Sequence, residues 1–530
     1  MPLLWLNLTG PDGPVCWVMS VRQGSAFCLF PTVIRILILK SLQKSQNAKP
    51  SGQGIWPPYT DVTDVNSTHV TKDKTLIATG DDFGLVKLFA YPSTEKHAKC
   101  KKYKGHAAHV TNVRFNHDDT QLLSTGGGDC SILFWTRPVE DCDGGDDSDD
   151  DAEDACYDSD VDEELSIDYN KQTNFNNQRD QAREQAVPEE NNEIEIDFKS
   201  RGAEKTCLAE VSDRYIMNLK IDHVFGYRGY DARSNADFFV PASGPTTSNE
   251  VIYHAAGVCI VHDSSTGQQR FYTQHSDDVL CLANNRHPSY RSTVASGQLG
   301  GHVHVWSSET LEPLSLLSGL PGGVSSVSFS GSGRLLVAAC LDQDHTLSVY
   351  RWQTGALVAS KITGPNRIFQ AVFRPDSDSK FVTVGERSLF FWNVAGSVLL
   401  GKKAQLPSSI VAEIGGTSTN TYLSLAFGTP QLTFTGMSTG HVIVWSEQQA
   451  IRVVKRAHSG PVFAMFTTLT DGLIVTGGKE RSGKSSVKLW DAQMAKNKHF
   501  TIPVKNDATT NNMTVKSVSR VKGRICFGTR

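Results

Sequence analysis

The sequence predicts an all-β fold assembled from repeated short-stranded units and interrupted by one polar linker. Three observations carry this. From Trp306 onward, Trp closes a strand at spacings of 46, 40, 53 and 45 residues, through Trp352, Trp392, Trp445 and Trp490. Between those positions β-branched and aromatic residues alternate with period two, punctuated by Gly-containing turns, which is the pattern of half-buried strands joined by hairpins. The third observation is a change of texture. Residues 141–164 hold 14 Asp or Glu and no Lys or Arg, and residues 170–200 are rich in Asn, Gln and Glu.

Taken in order, residues 1–50 match nothing that follows and stay unassigned. Residues 27–42 are apolar but broken by Pro31, Arg35 and Lys40, too short and too charged for a membrane span. Residues 51–137 carry two strand trains. Residues 76–89 read as strand, tight turn at Asp81-Asp82-Phe83-Gly84, and strand; Gly105-His106, residues 110–115, residues 122–126 and Ile132-Leu133-Phe134-Trp135 repeat the pattern. Residues 138–200 are expected to be a disordered acidic linker, because such a composition buries too little apolar surface to offset its ordering entropy. Ser148 and Ser159 each stand three residues before an Asp and are candidate phosphorylation sites of an acid-directed kinase.

Residues 201–500 begin with a seam and continue as repeats. The seam is Phe225-Gly226-Tyr227-Arg228-Gly229-Tyr230-Asp231, running on to Asn235. Two Gly among aromatics oppose a helix, and the rings need a large surface to bury against. The seam is expected to fasten the linker onto the repeats behind it, with the Tyr230 ring buried. Residues 501–530 are expected to open a second, truncated array.

A repeat of about 40–45 residues with Gly-His early and Trp-Asp late is the signature of propeller blades. Its physical basis is a hydrogen-bonded series: His at the blade's start, Ser or Thr on the second strand, Asp in the next turn, Trp on the third strand. One blade offers His106, Ser124 (or Thr125), Asp129 and Trp135. Partial versions are His275, Ser296 and Trp306, and His458, Thr476 and Trp490. These read as residues that lock the fold rather than as ligands, since a buried polar network holds only when satisfied.

Several of these stretches together resemble the echinoderm microtubule-associated protein-like family. They are Ile55-Trp56-Pro57-Pro58, Ala78-Thr79-Gly80-Asp81-Asp82-Phe83-Gly84, Gly105-His106 with His109-Val110-Thr111-Asn112-Val113-Arg114, the seam itself, Ala457-His458-Ser459-Gly460-Pro461-Val462 and Val475-Thr476-Gly477-Gly478. The seam matches that family's hydrophobic motif. The resemblance spans roughly residues 55–530. It implies WD-repeat propellers with that motif packed at the module start, and binding to microtubules or tubulin in the cytoplasmic cytoskeleton. Two blades ahead of the linker suggest the end of a preceding module in a long, multi-module member, of which this chain would be a fragment.

Composition bounds the chemistry. The net charge is −4, but outside residues 141–164 the remaining 42 acidic residues face 52 basic ones, a balance of +10. That suits an acidic partner, although folded surfaces also scatter mild charge of either sign. Eleven Cys without a C-x-x-C pair read as reduced thiols, not a disulfide framework or zinc site. Gly478-Lys479-Glu480-Arg481-Ser482-Gly483-Lys484-Ser485 matches a phosphate-loop pattern, but that loop must open a helix and here it precedes another strand pattern. No catalytic motif, cofactor, nucleic-acid or membrane partner is expected. The reading is a non-catalytic tubulin-binding scaffold; the alternative is a general protein–protein adaptor.

Overall fold

The computed structural model describes residues 64–137 and 219–529, short loops excepted, together with Ile55 and a hairpin of Leu6–Gly10 and Gly13–Trp17. The linker expected at 138–200, with Ser148 and Ser159, lies outside the described residues, as does the apolar stretch at 27–42. Among the described residues no helix is long and apolar enough to cross a membrane.

Strands dominate, in four-stranded antiparallel sheets ordered along the chain. Two front blades come first. One consists of Val65–Val70, Leu76–Asp81, Val86–Ala90 and Cys100–Tyr103. The next consists of Val110–Phe115, Gln121–Gly126, Ile132–Thr136 and, as its fourth strand, Lys220–Phe225. Lys220 pairs with Thr136 and Phe225 with Ile132, so the first strand after the linker completes the blade before it. The seam was expected to fasten the linker onto the repeats behind it; the strand that leads into it, ending at Phe225, pairs with the blade in front.

Seven further blades follow. Their inner strands are Ala236–Phe238, Val279–Asn284, Val324–Phe329, Ile368–Phe373, Tyr422–Gly428, Val462–Thr467 and Val515–Val521. Each packs against the next, and the last packs against the first, which closes a ring. Blade six takes His499–Pro503 as its outer strand, and blade seven consists of Val515–Val521 and Arg524–Thr529. The expectation that residues 501–530 open a second array is therefore corrected. These strands finish the ring, because their side chains find partners on blade one. Ser517 Oγ accepts from Ala236 N at 3.1 Å and donates to Ala236 O at 3.0 Å, and Ser519 Oγ accepts from Phe238 N at 3.5 Å.

Hydroxyls serve the same joint elsewhere. Ser326 Oγ accepts from Ala371 N at 3.1 Å and Ser328 Oγ from Phe373 N at 3.1 Å, while Ser67 Oγ accepts from Val113 N at 3.2 Å in the front pair. Inner strands need such partners because the ring separates their backbones beyond ladder distance, and a buried unpaired N–H is costly. Each inner strand from blade two to blade seven also carries a bulge between its first and third residues. A bulge re-aims the extra side chain, here the second residue of the strand.

The core is a chain of apolar clusters at blade interfaces. Along Val258–Asp263 of ring blade one, Val258 and Ile260 join Leu122, Leu133 and Trp135 of the second front blade, while Cys259 and Val261 join Trp306 and Val294 of blade two. One strand with period-two alternation thus bonds two neighbours, and the front blades share a continuous core with the ring.

Tyr227 reaches onto blade seven. A Cβ placed at Gly528 would lie 1.8 Å from the Tyr227 hydroxyl and 2.3 Å from Cζ. We expect Gly528→Ala to destabilise the fold by about 1–3 kcal/mol through overpacking, read as a lowered midpoint in urea denaturation. An unchanged midpoint would show that Tyr227 does not pack on this strand.

Candidate functional site

The site is the junction between front blade and ring, residues 225–235, and the channel mouth it reaches. Gly residues and the absence of regular bonding let this segment turn sharply between two strands. Phe225 meets Phe134 edge-on, with ring centroids 5.6 Å apart. Tyr227 Oη donates to Asn235 Oδ1 at 2.5 Å, and Asn235 Nδ2 donates to Arg228 O at 2.5 Å. Asn235 is fully buried, so the amide staples the two ends of the turn. Burial pushes the Tyr227 hydroxyl well above its ordinary pKa, keeping it a donor.

Arg228 is the hub. It is buried, and its Nε and Nη2 each bond Asp231 at 2.8 Å. Nη1 makes an ion pair with Asp278, which stands at the start of ring blade two. Burial opposes the charge, but the two carboxylates outweigh it and raise the guanidinium's pKa. Gly229 is pressed close: a Cβ there would lie 2.8 Å from Thr529 O. Tyr230, expected to be the buried ring, is instead half-buried. Its face lies 5.0 Å from the Arg228 guanidinium and its hydroxyl donates to Gly128 O at 3.3 Å. The reason is that Arg228, not an apolar pocket, fills the space beneath it.

Arg233 reaches furthest. Its guanidinium lies 4.2 Å from the Phe369 ring and 5.8 Å from Phe463, and Nη1 donates to Leu423 O at 3.1 Å. Those residues belong to blades four, six and five, across a seven-blade ring from blade one. Arg233 therefore extends over the mouth of the axial channel. Phe369, Leu423 and Phe463 are all bulged second residues. So is Lys516, whose Nζ lies 4.0 Å from the Phe463 ring.

The His series are assembled as follows. His106 Nε2 meets Ser124 Oγ at 2.8 Å, Trp135 Nε1 donates to the same oxygen at 2.8 Å, and His106 Nδ1 meets Asp129 Oδ2 at 2.9 Å. Ser124 is the member; Thr125 bonds Thr111 instead. Ser296 joins His275 at 2.7 Å and Trp306 at 3.0 Å. Thr476 joins His458 at 2.8 Å and Trp490 at 2.9 Å. The sequence reading missed the acceptors on the far side of the last two histidines: Gln298 on His275 at 2.8 Å and Glu480 on His458 at 3.0 Å. A polar acceptor at the end of the second strand (Gln298) or just past it (Glu480) was the signal available. The phosphate-loop match runs from the end of Ile474–Lys479 to the start of Ser485–Trp490, which pair antiparallel as a hairpin, so a strand and not a helix follows it.

Fold and junction together define a WD-type propeller stitched to the blades in front by a hydrophobic motif. Residues 268–530 match the family model of the echinoderm microtubule-associated protein first beta-propeller, residues 217–260 that of the HELP motif, and residues 44–137 that of the second beta-propeller. The chain belongs to the echinoderm microtubule-associated protein-like family. It is 33% identical over 281 residues to echinoderm microtubule-associated protein-like 1 of Homo sapiens, a match covering 49% of this chain and 32% of that protein. It is 32% identical over 308 residues to echinoderm microtubule-associated protein-like 2 of Mus musculus, covering 54% and 43%. The 77 kDa echinoderm microtubule-associated protein of Lytechinus variegatus is 31% identical over 300 residues, covering 54% and 42%. The matched stretch is thus less than half the length of each relative.

The polar joints make stability depend on pH. Burial above all, with His304 beside it, holds His275 down to about 3. The hydrogen bond from His458, with those of Ser459 and Ser486, holds Glu480 far below the usual carboxylate range. Both groups bind fewer protons folded than unfolded, so both stabilise the fold above their ordinary pKa values and lose that contribution as pH falls. Urea denaturation from pH 7 downward should show stability falling from about 6.5 through His275 and falling further below about 4.5 through Glu480. Glu480→Gln should flatten the second part of the curve; an unaltered slope there would remove Glu480 from the account.

Proposed function

We propose that this chain is a non-catalytic scaffold that binds tubulin or microtubules weakly, through basic faces of the ring, in the cytoplasmic cytoskeleton. The observation that carries it is the charge balance of +10 outside the acidic run on a chain whose family is named for microtubule association. The junction and the His series support a scaffold: their polar atoms bond one another. Propellers of this kind present rigid surfaces, and function resides in what those surfaces carry.

An electrostatic mechanism has a clear signature, since exposed charges more than about 10 Å apart are largely screened at 0.1 M salt. Co-sedimentation of the chain with microtubules should fall steeply between about 50 and 200 mM salt. Deleting residues 141–164 should strengthen pelleting, because that run offers the basic faces a competing acidic partner. Absence of pelleting at low salt would favour a general adaptor. Pelleting indifferent to salt would refute the electrostatic mechanism and keep the partner.

A further inference from the structure

We propose that the mouth of the ring's axial channel is a binding site for an acidic peptide, with Arg233 receiving a carboxylate and Arg367 and Lys516 flanking it. This deepens the tubulin reading by naming a face, and rests on that reading only for the partner's identity.

Two arginines five residues apart differ in their partners. Arg228 spends its donors on Asp231 and Asp278. Arg233 makes no ion pair with a carboxylate among the described residues, and one carbonyl, Leu423 O, accepts from it. A guanidinium has five N–H donors in a fixed fork that matches a carboxylate. Burial, with Arg367 beside it, pulls the Arg233 pKa down to about 10. The charge is held partly out of water with a carbonyl and two ring faces against it but no opposing carboxylate, an arrangement that stability alone does not favour. Its place is fixed from both sides by the Phe369 and Phe463 rings.

Those rings also have a use. A glutamate carries a methylene stem that packs along aromatic faces while its head meets a guanidinium, whereas a phosphate chain has no such stem. Lys516 lies over Phe463 from blade seven, and exposed Arg367 lies 5.8 Å from Phe369 on blade four. Arg233 from the junction, Arg367 at the start of blade four and Lys516 on blade seven thus stand against two aromatic faces at one end of the axis. The bulges that aim Phe369, Phe463 and Lys516 there recur from blade to blade, so the fold supplies the geometry and the sequence supplies the charge.

The test is anisotropy of a fluorescein-labelled oligoglutamate peptide with the full chain at low salt. Arg233→Met should weaken binding at least about thirtyfold, as for a buried charged partner, while the melting temperature holds or rises. Arg367→Glu should weaken it about tenfold. Lys402→Glu, an equal charge change on the exposed outer strand Val398–Lys403, should weaken it less than about twofold. Equal effects of Arg367→Glu and Lys402→Glu would overturn the site in favour of diffuse attraction, as would unchanged affinity in Arg233→Met. If Arg233→Met lowers the melting temperature, Arg367→Glu decides. Oligothymidylate bound as tightly with the same dependence on Arg233 would overturn the peptide assignment in favour of a phosphate chain. Microtubule pelleting run in parallel separates the two readings. Peptide binding without pelleting keeps the site and rejects tubulin; pelleting indifferent to Arg233→Met keeps tubulin and rejects this face.

Discussion

The fold depends on one ion-pair group, buried Arg228 held by buried Asp278 and by exposed Asp231. The chain must leave the outer edge of the second front blade and reach the inner edge of ring blade one within ten residues, Phe225 to Ala236 excluded. A segment that short, bonded to no ladder, needs a fixed pivot. Arg228 supplies it by tying the turn to itself through Asp231 and to blade two through Asp278. Removing one partner of a buried pair costs about 3–5 kcal/mol, a large share of the 5–15 kcal/mol that typically separates folded from unfolded chains. Asn235 and Tyr227 depend on the same pivot, because both bond groups that Arg228 positions.

Given that pivot, the ring is held by repetition rather than by any special blade. The Trp-to-hydroxyl bond is the more general lock: Trp392 donates to Thr383 at 2.9 Å and Trp445 to Thr435 at 2.8 Å, with no His in the series. Trp352 donates instead to Gly333 O at 2.7 Å. Indole N–H groups buried in a blade find an acceptor in every case, as a buried donor must, and the histidines add a second bond where the hairpin offers an acceptor.

How much of this was legible in the sequence follows from range. The blades were legible because period-two alternation and Trp spacing are local signals. His106, Ser124, Asp129 and Trp135 were legible because all four lie within 30 residues. Gln298 and Glu480 were not, since each replaces the expected Asp and stands at a different offset: Gln298 ends the strand that carries Ser296, whereas Glu480 follows the strand that carries Thr476. Ring closure was illegible for a stronger reason: Ser517 and Ala236 are 281 residues apart, and nothing in Val515–Val521 alone says which inner strand it meets. The same holds for Lys220–Phe225, whose pattern declares a strand but not that its partner lies before the linker. Arg233 looked like one more charged residue; only the ring places it opposite Phe369 and Phe463.

The pairing of Lys220 with Thr136 gives the acidic linker an unexpected status. The 83 residues from 137 to 219 begin and end at one rung of one ladder, so topologically they connect two paired strands as a hairpin turn does. Closing such a loop costs free energy only as the logarithm of its length, about 0.6 kcal/mol for each doubling. The blade is therefore nearly blind to how long its turn is, or to what is written in it. A change in the length of that segment alters the closure cost little, while its two ends stay held at one rung on the rim of the second front blade.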